Sequence, residues 1–157
     1  MEPTSQSKQF CTFYVAGGFF GIDVTRVQEV IRYQEMTHVP LATAVISGLI
    51  NLRGQIVTAI EMRARLDLPP RTADQPPMNV IVRTPEGPVS LLVDEIADVI
   101  EVDDATMDRL PETVSAHTKH LVSGVHKLEG KLLLVLDADR AVAVGGVEIA
   151  TTTDMPS

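Results

Sequence analysis

An internal repeat constrains the fold of this chain more than any other feature of its sequence. The stretch SGLINLRGQIV at residues 47–57 returns 76 positions later as SGVHKLEGKLL at 123–133. Upstream of these blocks, DVTRVQEVI (23–31) resembles LVDEIADVI (92–100) at a spacing of 69. The connection between the blocks is seven residues longer in the second copy, which accounts for the two spacings. Because two copies are too few for a solenoid, the repeat predicts two small subdomains that pack on each other.

The composition favours strands and excludes some classes of function. The 157 residues contain no tryptophan and only 4% aromatic residues, so the core must consist mainly of valine, isoleucine and leucine, which are typical of strands. The formal net charge is −8, from 13 basic and 21 acidic side chains. Proteins that bind nucleic acid usually carry a basic surface, so this charge argues against nucleic-acid binding and against direct binding to anionic lipid.

Short apolar runs separated by turn residues predict hairpins. The turns are predicted at Gly17–Gly18, at Arg53–Gly54, at PEG (85–87) and at Glu129–Gly130. Short helices are predicted for LATAVI (41–46), for EMRARLDL (61–68) and for the segment that follows Asp137 as an N-cap. Many short strands at close spacing predict small antiparallel barrels.

No pattern in the sequence indicates catalysis or a resident metal. His117 and His120 can share one face of a helical turn, but a metal site needs further ligands and no histidine or cysteine cluster supplies them. Cys11, the only cysteine, lies in an apolar run and is expected in the core. Asp103–Asp104 is expected in a solvated loop. The sequence therefore predicts no enzyme activity, no cofactor and no metal.

Arg53 is the residue that the repeat does not explain. Gly54 and its repeat mate Gly130 both suit a hairpin turn with positive φ, so the fold alone accounts for them. Arg53 aligns with Glu129, which has the opposite charge, so the turn does not require arginine. Two interpretations stay open: an ordinary surface arginine, or a functional arginine whose ion-pair partner is Glu29. The counterparts of Asn51, Arg53 and Glu29 in the second copy are Lys127, Glu129 and Asp98.

At these residues the chain resembles the CheW family of chemotaxis coupling proteins. The resemblance rests on four stretches and covers about residues 10–144. They are FGIDVTRVQEVI (20–31), VISGLINLRGQIV (45–57), SLLVDEIADVI (90–100) and LVSGVHKLEGKLLLVLD (121–137).

The resemblance implies a mainly β fold of two intertwined, five-stranded, SH3-like barrels with a few short helices. The expected CheW-like domain spans 10–144. Its parts are a first subdomain of about 10–68, a linker at 69–78, a second subdomain of about 79–144, and flexible tails at 1–9 and 145–157.

The resemblance also implies a non-enzymatic cytoplasmic adaptor that links the tip of a chemoreceptor to a CheA-type histidine kinase in receptor arrays. Such a protein reaches the membrane only through the receptors. The residues expected to bind partners are Val27, Glu29, Asn51, Arg53, Gly54 and Val99. The alternatives are a CheW-like regulatory domain of a histidine kinase and a scaffold for a chemosensory pathway outside motility.

Overall fold

The architecture was obtained as a computed structural model, which describes residues 7–40, 44–72 and 74–143. The strands in these ranges are β1 (Lys8–Val15), β2 (Gly18–Asp23), β3 (Val27–Ile31), β4 (Ile46–Leu52), β5 (Gln55–Glu61), β6 (Met78–Val82), β7 (Val89–Val93), β8 (Glu95–Val102), β9 (Val122–Leu128) and β10 (Lys131–Leu136). The helices are α1 (Met62–Arg65), α2 (Ala116–Leu121) and α3 (Ala138–Val142), with 3₁₀ turns at Val24–Arg26 and Asp104–Thr106.

The four predicted hairpins all form. They are β1–β2, β4–β5, β6–β7 and β9–β10, and each pairs antiparallel. The first turn lies at Ala16–Gly17 rather than at Gly17–Gly18, because Gly18 already pairs with Val15. Gly54 and Gly130 have φ angles of 90° and 86°, as the turns were predicted to require.

The strands form two five-stranded sheets, and each sheet draws on both copies of the repeat. The first barrel has the order β3-β6-β7-β5-β4, and the second barrel has the order β8-β1-β2-β10-β9. The β1–β2 hairpin of the first copy lies in a sheet whose other three strands come from the second copy. The β6–β7 hairpin of the second copy lies in a sheet whose other three strands come from the first copy. Replacing each strand of one sheet by its repeat mate gives the strand order of the other sheet. Because each sheet contains strands of both copies, the two halves of the sequence are intertwined. The predicted linker at 69–78 falls between the two copies along the chain, although Met78 already belongs to β6, and it does not divide the sheets.

A shared core joins the two barrels. Its largest cluster contains fully buried side chains from both sheets, including Phe13 from β1, Ile60 from β5 and Leu91 from β7. Two smaller clusters fill the individual barrels, one around Ile81 in the first and one around Leu133 in the second. Apolar burial is the main stabilising contribution to folding, so we expect the barrels to depend on each other for stability.

A charged cluster fixes the linker to the junction of the barrels. Asp94 accepts hydrogen bonds from Arg63 (Nη2 to Oδ2, 2.6 Å), from the Ala16 backbone N–H (2.8 Å) and from Arg71. Arg71 also contacts Glu61, and its side chain is only 7% exposed. Partial burial raises the pKa of the Asp94 carboxyl, but the hydrogen bonds from Arg63 and Ala16 and the charges of Arg71 and Arg63 outweigh it, so that pKa lies below its ordinary value.

Three sequence predictions need correction or fall outside the described residues. The helix predicted at 41–46 is wrong for 44–46, because Val45 accepts a hydrogen bond from the Glu61 N–H (2.7 Å) and β4 begins at Ile46. Residues 41–43 are not described. The N-terminal tail was predicted to reach residue 9, but β1 begins at Lys8, which pairs with Val102. The tail predicted at 145–157 lies outside the described residues.

Candidate partner-binding site

The β4–β5 turn presents Arg53 in an unusual backbone conformation. Arg53 has a φ of 53° and Gly54 a φ of 90°, so both central residues of this two-residue turn are left-handed. Such turns match the twist of the flanking strands but favour glycine and asparagine, and an arginine there is uncommon. Asn51 supports the turn, because its Oδ1 accepts a hydrogen bond from the Gly54 N–H (2.8 Å). This contact gives Asn51 a structural role whether or not it touches a partner.

Arg53 forms the predicted ion pair with Glu29. Its Nη2 donates to Oε2 of Glu29, so the ion pair connects the β4–β5 turn to β3. The Arg53 side chain is 65% exposed and the Glu29 side chain 25% exposed, so the guanidinium keeps donors free for a partner. The hydrogen bond from Arg53 is the main cause that holds the pKa of the Glu29 carboxyl below its ordinary value.

A β-bulge sets the orientation of Glu29 on β3. The pairing of β3 with β6 shifts register between Val27 and Glu29. Bulges of this kind re-aim a side chain at the edge of a sheet. Val27 is only partly exposed and packs against the shared core. Glu29, after the bulge, is directed to the surface and reaches Arg53.

Exposed apolar side chains on the first barrel were missed by the sequence reasoning. Ile56, directly opposite Asn51 in the hairpin, is 62% exposed, and Val30 on β3 and Tyr33 just after it are 40% and 44% exposed. Aromatic and apolar groups beside a charged pair are typical of protein interfaces. A signal for Ile56 exists in the sequence: it precedes the buried Val57, and consecutive side chains of a strand point to opposite faces.

The repeat-related place on the second barrel has a different character. Asp98 and Glu129 stand where Glu29 and Arg53 stand, so two acidic side chains replace an ion pair. Val99 lies there, on β8, and is 53% exposed. The structure therefore brings Glu29, Asn51, Arg53 and Gly54 together and places Val99 in the other sheet.

The remaining candidates behave as structural or solvent-facing residues. Cys11 is buried in β1, and His117 and His120 are exposed on α2. Among the described residues no group of three or more histidine, cysteine, aspartate or glutamate side chains is arranged to hold a metal ion. None of the helices in the described ranges has the length and apolarity to cross a membrane.

Comparisons with known proteins agree on one family. The family described as the CheW-like domain matches residues 9–144. The chain is 33% identical over 132 residues to the chemotaxis protein CheW of Bacillus subtilis, covering 84% of this chain and 85% of that protein. It is 28% identical over 122 residues to the chemotaxis protein CheW of Thermotoga maritima, covering 76% and 78% of the two chains.

A solved structure shows the same fold. The scaffolding protein TtCheW from Thermoanaerobacter tengcongensis superposes with a TM-score of 0.77 at 26% sequence identity, covering 90% of this chain and 96% of that one. This similarity and the two five-stranded sheets confirm the predicted fold class of two intertwined SH3-like barrels.

Proposed function

The chain belongs to the CheW-like family, and we propose that it is a non-enzymatic adaptor of chemotaxis signalling that couples chemoreceptor tips to a CheA-type histidine kinase. In this role it binds in the cytoplasm, reaches the membrane only through the receptors and needs no cofactor. The relatives named chemotaxis protein CheW and the scaffolding protein of the same fold support the proposal.

The observation that carries the proposal is Arg53 in its left-handed conformation, paired with Glu29. A residue held in a sparsely populated backbone region points to a role beyond the local fold, because glycine or asparagine would build the same turn with less strain. Its fork of donors offers directional, bidentate contacts to a partner carboxylate. Ile56, Val30 and Tyr33 add apolar area on the same barrel. We therefore assign partner binding to this surface.

Val27, Asn51 and Gly54 contribute mainly by position in this proposal. Gly54 and Asn51 hold the turn that carries Arg53, and Val27 precedes the bulge that directs Glu29. Val99 supplies an apolar contact on the second barrel. A protein with a contact surface on each barrel can bind two partners at once, as an adaptor must.

Reconstituted kinase activity tests the proposed function. The cytoplasmic part of a receptor and the CheA-type kinase from the same organism are mixed with and without this chain, and autophosphorylation of the kinase is measured. We expect the receptor to control the kinase only when the chain is present. Receptor control that is the same without the chain would refute the adaptor role. Glu129→Asn serves as the comparison variant, because it changes the charge of the repeat-related turn and leaves the surface around Arg53 and Glu29 intact.

A further inference from the structure

A cleft of about 440 Å³ opens on the second barrel, beside Gly124 of β9. It lies between β9, the 3₁₀ turn at Asp104–Thr106 and the start of α3. It is separate from the surface around Arg53 and Glu29, which belongs to the first barrel. Nothing in the proposed function uses this cleft.

The repeat shows why the cleft exists. In the first barrel, Thr37 exchanges two backbone hydrogen bonds of 2.8 Å with Leu49, and a Cβ on Gly48 would lie only 2.7 Å from the Thr37 carbonyl oxygen. In the second barrel, the corresponding segment pairs antiparallel with β9 through Met107 and His126, and the Asp108 N–H donates to the carbonyl of Val125, the repeat mate of Leu49 (2.8 Å). A Cβ on Gly124 would meet no atom within 4 Å. The segment around Thr37 thus covers β4 closely, whereas the corresponding segment around Asp108 leaves room for a side chain above β9.

A buried histidine faces this space with an unused acceptor. His126 is only 9% exposed and lines the cleft, and its Nδ1 lies 2.8 Å from Oγ1 of Thr106. We assign the single proton of the Thr106 hydroxyl to the Asp103 carbonyl (3.2 Å), so that the hydroxyl oxygen accepts from the Nδ1–H of His126. Nε2 is then the acceptor nitrogen, and it has no hydrogen-bond partner among the described residues. A buried acceptor without a donor is costly, so this atom calls for a ligand that donates.

The walls of the cleft suit a cation with an apolar stem. Phe10, Val102 and Val135 provide apolar lining, and five aspartates stand around it. The two cations in the wall are Lys8 and Arg26, and Arg26 is engaged by Asp139 at 2.7 Å. The five aspartates are Asp23, Asp103, Asp104, Asp137 and Asp139.

Among these aspartates, Asp104 keeps its carboxylate available. The carboxylates of Asp23, Asp103 and Asp137 accept backbone hydrogen bonds from residues two or three positions further along the chain. The side chain of Asp104 makes no hydrogen bond or ion pair within the described part of the chain. A donor that enters the cleft therefore finds one free carboxylate and one free imidazole nitrogen.

We propose that this cleft binds an arginine side chain presented by a segment of a partner protein. The methylene stem of the arginine packs on the apolar lining, as long cationic side chains do on apolar surfaces. Its guanidinium donates to Nε2 of His126 and to the carboxylate of Asp104. Arginine fits better than lysine because its rigid guanidinium donates from separate nitrogens at a fixed spacing, whereas lysine offers one nitrogen.

The test uses the whole chain and two peptides of nearly equal shape that differ in the charge and donors of one side chain. Acetyl-Gly-Arg-Gly-amide is titrated into isotopically labelled protein, beside the same peptide with citrulline, which keeps the shape of arginine but is neutral. We expect saturable chemical-shift changes at Ser123, Gly124 and His126 with the arginine peptide, and at least about fivefold weaker binding of the citrulline peptide. Equal binding of both peptides, or no shifts in this region, would overturn the proposal.

Two variants locate the binding. Gly124→Leu fills the cleft, and its Cβ enters open space, so we expect a native melting temperature and no binding of the arginine peptide. Asp104→Asn should weaken binding by about twofold to fivefold, as expected for an exposed charge pair. Arginine-peptide shifts that persist in folded Gly124→Leu would contradict the assignment. If Gly124→Leu does not fold, the citrulline comparison and Asp104→Asn still decide, and a loss of adaptor activity in the Arg53 variants leaves this test unaffected.

Discussion

The two barrels share one topology, but they differ at the β4–β5 turn of the first barrel and the repeat-related β9–β10 turn of the second. The first barrel presents Arg53 with Glu29, beside exposed Ile56. The second presents Glu129 and Asp98, which cannot pair, and Lys131, two positions after Glu129, donates to the Tyr14 hydroxyl (2.7 Å) instead. Because the same fold is built with either set of charges, folding does not account for the difference, and we propose that it serves recognition of a partner.

The charges at the repeat-related positions Arg63 on α1 and Asp139 on α3, at the two junctions of the barrels, differ in a similar way. At the first, Arg63 and Arg71 hold the largely buried Asp94. At the second, the repeat mate of Arg63 is Asp139, which forms an exposed pair with Arg26. The first junction therefore carries a charged cluster that contributes to stability, whereas the second carries a surface pair of the kind that contributes little.

The largest effect should follow from separating the two copies. Residues 1–74 alone lack β6 and β7, which lie between β3 and β5 in the first barrel, and lack three of the five strands of the second. We expect this fragment to show no cooperative thermal transition, and we expect a mixture with 75–157 to regain one. The measurement is a circular dichroism melt of each fragment and of the mixture. A sharp transition of either fragment alone would show that the barrels do not depend on each other.

Asp94→Asn should cause the next largest effect. Removing one charge from a largely buried cluster leaves its partners uncompensated, so we expect a loss of about 2–4 kcal/mol in the free energy of unfolding at pH 7. The folded pKa of Asp94 is lowered, so its contribution is complete above the unfolded value of about 3.9 and is lost as the pH falls through the folded value.

Denaturant unfolding at several pH values measures this contribution. The gap between wild type and Asp94→Asn should therefore close in strong acid. Asp139→Asn, at the exposed counterpart, should cost less than about 1 kcal/mol at pH 7. Equal losses for the two variants would remove the distinction between the junctions.

A smaller difference is expected between the repeat-related glycines Gly48 and Gly124. Gly48→Ala places a Cβ 2.7 Å from a backbone oxygen and should destabilise the chain by about 1–3 kcal/mol. Gly124→Ala enters open space and should be neutral or stabilise by about 0.5–1 kcal/mol, because alanine has less freedom to lose than glycine. Thermal melts of both variants decide. A loss of stability in Gly124→Ala would mean that the second segment closes as tightly as the first.

The sequence predicted local features better than long-range ones. Hairpins form between neighbours in the chain, so turn residues such as Arg53–Gly54 and Glu129–Gly130 identify them. The repeat alone could not say that β1–β2 pairs with strands of the other copy, because each hairpin has equivalent edges available in both halves. That intertwining came from the family resemblance.

The candidate site was predicted in part, for a physical reason. The charge difference between Arg53 and Glu129 identified a position where the turn does not require arginine, and the structure confirms its ion pair with Glu29. The roles of Arg71 and His126 could not be predicted, because one sits in a proline-containing linker and the other in an ordinary strand. Only the tertiary fold buries them and supplies Asp94 and Thr106 as their contacts.

The central claim is that Arg53 serves binding and its repeat mate does not, and asparagine is the substitution that isolates it. Asparagine tolerates the left-handed conformation, so Arg53→Asn should leave the melting temperature unchanged or slightly raised. The matched variant, Glu129→Asn, changes the same turn position on the second barrel. Neither substitution removes a buried group, so any change in affinity reports on the surface itself.

The most direct measurement is a titration of both variants against the receptor tip and against the CheW-like domain of the kinase. We predict that Arg53→Asn weakens binding to at least one of these partners by about tenfold or more, because the partner's carboxylate loses a bidentate donor. Glu129→Asn should stay within about twofold of wild type for that same partner. Equal losses for the two variants, or wild-type affinity of Arg53→Asn for both partners, would contradict the account.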